Sequence, residues 1–207
     1  LESLENIYDE LIIVDTGSTD TTKKIAESFE AKIYDLSLDP FRFDEARNFS
    51  FDKCTSDWIL WIDADDILVN PQAVRELVDS SPDLIDVYHA TYNYAFNDRG
   101  MVVARHDKER LLRNNKSLTW SGPLHEAMIP LRDVKVAKTD AFHINHDKDE
   151  KDFARSTQRN YDIIREIIKS EGVYETDPRN LMSLANAALG LDKWEEAIEF
   201  FDLFTSC

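Results

Sequence analysis

Cysteine is nearly absent from these 207 residues. Cys54 and Cys207 are the only two, and neither has a second cysteine at the spacing of a zinc knuckle or a disulfide framework. A reducing compartment is the expectation. Long apolar runs are missing as well: the longest, around Trp58 to Ile62, falls far short of the roughly 20 residues a membrane span needs. No signal peptide opens the chain, so a soluble, cytoplasmic protein without a membrane span is expected. Five glycines and six prolines are too few for a low-complexity or collagen-like chain. Basic charge is scarce, with 24 Lys+Arg against 41 Asp+Glu and a formal charge of -17. With no segregated basic patch, such a chain repels a nucleic-acid backbone, which excludes that partner. An acidic protein that holds an anionic ligand needs a divalent cation or oriented backbone N–H groups to offset repulsion.

What the chain does contain is 43% apolar residues, enough for a buried core, and a length that suits one sizeable α/β domain with a small helical addition. Leu11-Ile12-Ile13-Val14, the polar turn Asp15-Thr16-Gly17-Ser18-Thr19-Asp20 and a helical pattern over Thr21 to Phe29 predict strand, turn and helix. Ala31 to Tyr34 reads as a second strand, and Asp44 to Cys54 as a helix. Trp58-Ile59-Leu60-Trp61-Ile62 is apolar on both faces, the pattern of a parallel strand covered by helices. It ends in Asp63-Ala64-Asp65-Asp66, and Pro71 to Val78 follows as a helix. Asp86 to Phe96 and Met101 to Arg105 form a predicted β pair around Asn97-Asp98-Arg99-Gly100, with further strands at Leu111-Leu112 and at Ala141 to Ile144. From Lys151 the pattern turns to long helices, which divides the chain into an α/β part, 1–150, and a helical part, 151–207. Counting from Pro178, residues Leu181, Leu184, Ala185, Ala188, Ala197 and Phe201 fall where a tetratricopeptide unit wants apolar or small side chains, an ordinary helix pair being the alternative.

Asp63, Asp65 and Asp66 concentrate negative charge just after a buried strand, where α/β folds place ligands. Hard carboxylate oxygens suit Mg²⁺ or Mn²⁺, completed by substrate phosphates. The alternative is a solvated acidic segment at the start of a helix, with Asp66 or Asn70 capping.

The succession Ile13-Val14-Asp15-Thr16-Gly17-Ser18-Thr19-Asp20, then Ala46-Arg47-Asn48, then Trp58 to Asp66 resembles glycosyltransferase family 2, of the GT-A fold, over roughly residues 7 to 150. Trp120-Ser121-Gly122-Pro123-Leu124-His125-Glu126 and the stretch from His146 to Asn160 fit the bacterial members with appended tetratricopeptide helices. The resemblance implies a Rossmann-like, mostly parallel sheet and a nucleotide-sugar donor, UDP-linked, with Mn²⁺ or Mg²⁺. It gives Asp15 to the nucleotide base and Arg47 to the nucleotide or diphosphate. Asp63 is shared between ribose and metal, Asp65 binds the metal, and Asp66 is a supporting acid. It assigns a further metal ligand to His146, with His143 next in line. It also implies a first strand with an Asn-Glu loop ahead of the segment that starts at Leu1, so a transferase domain without that strand is the expectation. The sequence does not identify the acceptor, which leaves peptide, protein, lipid-linked and polysaccharide acceptors open, and the helices offer a protein-binding face.

Inverting transfer needs a base that deprotonates the acceptor as it attacks the anomeric carbon. Glu126 follows the Trp120 loop, where desolvation would raise a carboxyl pKa, and His125 is the alternative base. A haloacid-dehalogenase-like phosphohydrolase also places Asp-x-Asp after a buried strand, but it expects Gly-Thr or Gly-Val where Asp66-Ile67 stand. The non-enzyme alternative is a degenerate scaffold whose helices bind a protein.

Overall fold

The computed structural model describes residues 1–147, 152–172 and 177–206, so the expected boundary near residue 150 and Cys207 lie outside the described residues. β-Branched side chains favour an extended chain, and β1 (Ile12–Asp15) pairs in parallel with β2 (Lys32–Asp35) across helix α1 (Thr22–Ser28). The Asp20 carboxylate opens α1 by accepting the Thr22 N–H at 2.9 Å. Helix α2 (Phe43–Lys53) has acids in its first turn and Lys53 in its last, matching the helix dipole. Then come β3 (Trp58–Leu60), β4 (Asp66–Val69), α3 (Gln72–Ser80), β5 (Val87–Phe96), β6 (Val102–Arg113), β7 (Leu118–Ser121), β8 (Ala127–Pro130) and β9 (Val136–His146). Three helices follow: α4 (Asp152–Glu171), α5 (Pro178–Gly190) and α6 (Trp194–Ser206). Asp177 caps α5 ahead of Pro178.

The chain falls into two units that interleave in sequence. The first comprises Leu1–Leu36, Asn48–Thr119 and Met128–Lys148; the second comprises Ser37–Arg47, Trp120–Ala127 and Asp149–Cys207. In the first unit a five-stranded sheet runs in the order β3-β6-β5-β9-β4. Only β5 with β9 is parallel in it, while β3–β6, β5–β6 and β4–β9 are antiparallel. The expected mostly parallel order is therefore corrected to a mixed sheet, with β3 as an antiparallel edge. The apolar pattern of Trp58 to Ile62 was a burial signal, and burial on two faces does not report strand direction. Ile59 is buried, and Trp58, on the core cluster, is covered by the Arg113 guanidinium at 4.4 Å from its ring.

Leu111-Leu112 belongs to the long β6, and the Asn97–Gly100 turn closes its hairpin with β5. β4 and the short β7–β8 sheet were not foreseen. The β5–β9 pairing jumps from Ala90–Thr139 to Thr91–His143, so Asp140, Ala141 and Phe142 form a bulge. One sheet face carries Leu68, Tyr88, Ala90, Tyr92, Leu111 and Ile144 into a core that also takes Phe142. In the second unit Tyr161, Ile164, Leu181, Leu184, Ala188 and Ala197 pack together with Leu124. Among the described residues no helix is long and apolar enough to cross a membrane.

Glu10 joins two segments of the first unit. Its carboxylate accepts the Ser56 N–H at 2.9 Å and the Lys32 ammonium at 2.9 Å, and bonds Thr55 as well. Burial pushes its pKa up, but the bonds from Lys32, Thr55 and Ser56 outweigh that and bring it from 4.5 down to about 2. A depressed folded-state pKa contributes stability above pH 4.5 that fades as pH falls toward 2. Glu10→Gln is expected to flatten this acid limb, measured as the urea midpoint at a series of pH values in that window.

Candidate functional site

Alternation along the sheet decides what gathers at the end of the core face. β4 and β9 pair Leu68 with Ile144 and, two residues on, Asp66 with His146. The pattern that buries Leu68 and Ile144 thus sets a carboxylate and an imidazole on the same face. Asp66 opens a strand here, which removes the helix-capping alternative. Its side chain is fully buried and is the hub of the cluster. Oδ1 accepts the Tyr92 hydroxyl at 2.9 Å and faces His146 Nδ1 at 3.3 Å; Oδ2 accepts the Asp63 N–H at 3.2 Å and meets the Arg110 guanidinium at 3.1 Å. Burial, followed by the Asp66 charge, pushes the Tyr92 phenol well above its usual range, so its hydroxyl stays protonated and donates.

Arg110 is the residue that sequence reasoning missed. It is 0% exposed, lies 3.8 Å from the centre of the Trp61 ring and 4.5 Å from that of Tyr92, and donates to the Trp61 carbonyl at 3.3 Å. Its Nη1 is also 3.8 Å from Asp63 Oδ2. Nε and Nη2 have no hydrogen-bond acceptor among the described residues. The available signal was the length of β6: divided into two short strands, the segment left Arg110 in a gap; as one strand it places Arg110 beside Trp61.

Asp65, Asp66 and His146 each bring a ligand atom within 4.8 Å of the others. Two hard carboxylates and an imidazole suit Mn²⁺ or Mg²⁺. Asp65 is half-exposed, 3.7 Å from His146 Nδ1, and its carbonyl accepts the Asp147 N–H at 2.7 Å. His146 Nδ1 faces both carboxylates, and in the tautomer that carries its proton on Nδ1 the Nε2 lone pair is left for a ligand. Asp63 lies outside this group of three, and His143, pairing with Val69 an odd number of positions away, falls on the opposite sheet face. The structure thus brings together Asp65, Asp66 and His146, and leaves Asp63 and His143 outside the group.

Asp15, buried at the end of β1, accepts the Gly17 N–H at 3.2 Å and the Ser18 N–H at 3.1 Å and lies 3.5 Å from Lys23. The Ser18 hydroxyl most of all, then these N–H groups and Lys23, hold it below the usual carboxylate range against its burial. It is an ionised acceptor anchored by its own turn.

Arg47 and Glu126 both belong to the second unit, where the Arg47 Nε donates to Glu126 Oε1 and its guanidinium sits 5.1 Å from the centre of the Trp120 ring. The expected partner of Glu126 was an apolar tryptophan wall; its partner is a cation stacked on that tryptophan. The loop is held by Asp44, which accepts the Gly122 N–H at 2.9 Å, and by the Phe43 N–H donated to the Pro123 carbonyl at 2.9 Å. Gly122 takes φ +110°, where a side chain would be strained. His125 is exposed, with φ +53°.

Residues 1–132 match the family model described as glycosyl transferase family 2. A TPR repeat-containing protein of Synechococcus elongatus is 36% identical over 128 residues, 61% of this chain and 30% of that protein. The SPbeta prophage-derived glycosyltransferase SunS of Bacillus subtilis is 26% identical over 217 residues, 97% of this chain and 48% of SunS. The first curated relatives, including an uncharacterized glycosyltransferase of Rickettsia felis, are matched over 36% to 48% of their own length, so the chain spans half or less of each. A crystal structure of S. aureus TarS 1-349 superposes with a TM-score of 0.43 at 13% identity, over 94% of this chain and 70% of that one.

Proposed function

The chain belongs to glycosyltransferase family 2, and from that premise we propose that it moves a sugar from a UDP-linked donor to an acceptor hydroxyl, with inversion and with the help of Mn²⁺ or Mg²⁺. The observation that carries this reading is the meeting of Asp65, Asp66 and His146 at the end of the buried sheet face. A divalent ion there supplies charge to stabilise the departing diphosphate. Asp65 and His146 hold it, Asp66 orients the imidazole, and Asp63 serves the ribose. Asp15, an ionised acceptor, reads the imide N–H of uracil. Arg47 serves the donor phosphates and keeps Glu126 in place. Glu126 takes the acceptor proton, with His125 as the alternative base. Residues 1–150 form the transferase part and 151–207 a partial tetratricopeptide-like segment offered to a protein partner. Burial pushes the Cys54 thiol up to about 11, so it stays protonated at neutral pH.

Incubation with UDP-glucose, UDP-galactose or UDP-N-acetylglucosamine and Mn²⁺ is expected to release UDP, and EDTA to suppress that release. Absence of both UDP release and UDP binding overturns the reading. Asp65→Asn is expected to raise the Mn²⁺ requirement about 10- to 100-fold. Its half-exposed side chain leaves thermal unfolding unchanged.

A further inference from the structure

We propose that Tyr94 is the wall on which the donor's sugar ring rests, a role that depends on the transferase reading above. Tyr92 and Tyr94 stand two positions apart on β5 and so share a sheet face with Asp66 and His146. Their situations differ sharply. Tyr92 is 5% exposed and its hydroxyl is spent on Asp66, whereas Tyr94 is 53% exposed and its hydroxyl makes no hydrogen bond to the described residues. The Tyr94 ring is nevertheless not loose. It stacks on the His146 imidazole at 5.6 Å between centroids and 5° between planes, with His106 at 6.3 Å. An aromatic ring held flat and left half in solvent contributes little to the core, but it is ready to cover an apolar surface.

Chemistry supplies that surface. In a nucleotide sugar the ring is attached directly to the β-phosphate, so a diphosphate bound beside Asp65 and His146 carries its sugar within a ring's width of these ligands. A pyranose has polar edges and an apolar C–H face, and sugar recognition pairs such a face with an aromatic ring while polar groups fix the edges. Tyr94 is an exposed aromatic stacked on a member of the ligand group, and the apolar face it offers matches a sugar ring rather than a charged diphosphate.

The distinction makes the inference testable by binding alone, with calorimetric titration of UDP and of UDP-glucose in the presence of Mn²⁺. Tyr94→Ala is expected to weaken UDP-glucose about five- to tenfold, the size of one aromatic contact, and to leave UDP unchanged. Tyr94→Phe, which keeps the ring, restores the wild-type affinity. Equal weakening of both ligands would mean that the ring only steadies His146, and unchanged affinity for both would remove it from the donor site; either result overturns the proposal. If the wild-type chain binds neither ligand, the transferase reading itself fails and this inference falls with it.

Discussion

Replacing Glu126 by Gln is expected to lower UDP release from a UDP-sugar about 10²- to 10⁴-fold, the range for losing a general base, while UDP affinity stays near wild type. The substitution leaves the surrounding loop in place. A carboxamide keeps an oxygen to accept the Arg47 Nε–H, so the guanidinium remains stacked on Trp120 and the Gly122 turn remains tied to Asp44. What is removed is the ability to take a proton. Initial rates of donor hydrolysis, together with UDP titration, separate the two effects. His125→Ala is the companion measurement. An exposed imidazole on a backbone with φ +53° is poorly placed to be held in register, and its loss is expected to change the rate little. A large loss from His125→Ala and none from Glu126→Gln would transfer the role to the imidazole.

Arg110→Met is expected to be the most destabilising single change in the first unit, by about 3–5 kcal/mol in urea unfolding, the usual cost of stranding one partner of a buried ion pair. Methionine can fill the space between Trp61 and Tyr92, so the loss is electrostatic rather than a packing void. Asp66 would be left fully buried, facing Tyr92 and His146, with no cation at its second oxygen. The double variant Arg110→Met with Asp66→Asn should recover part of the loss, because the uncompensated charge is gone. An Arg110→Met protein with an unchanged urea midpoint would mean that this pair contributes nothing.

Local pattern made the order of elements legible, and tertiary context hid the rest. The β-branched run at Ile12 to Val14, the Asn97–Gly100 turn and the apolar spacing of α4 to α6 are short-range signals, and each produced the expected element. Strand direction and neighbours were not legible, because the apolar character of Trp58 to Ile62 reports burial alone. The same limit applied to the site. Asp65 and His146 were readable as candidate ligands by resemblance, yet the centrality of Asp66 depends on β4, a strand of four residues that periodicity could not separate from the turn before it. Arg110 was invisible because a charged residue in an apolar strand looks like its end. The Asp66 carboxylate and the flanking rings of Trp61 and Tyr92, all distant in sequence, make a buried guanidinium tolerable there.

The bulge in β9 gives that strand a phase. Thr139 and Ile144 oppose Ala90 and Tyr92 on one side of the sheet although an odd number of positions separates them, and Asp140, Ala141 and Phe142 absorb the difference. Deleting any one of the three would leave every ligand identity intact and still turn His146 away from Asp66. In this segment chain length is therefore as much a part of the candidate ligand set as side-chain chemistry, because the spacing between Thr139 and His146 sets which face the imidazole takes.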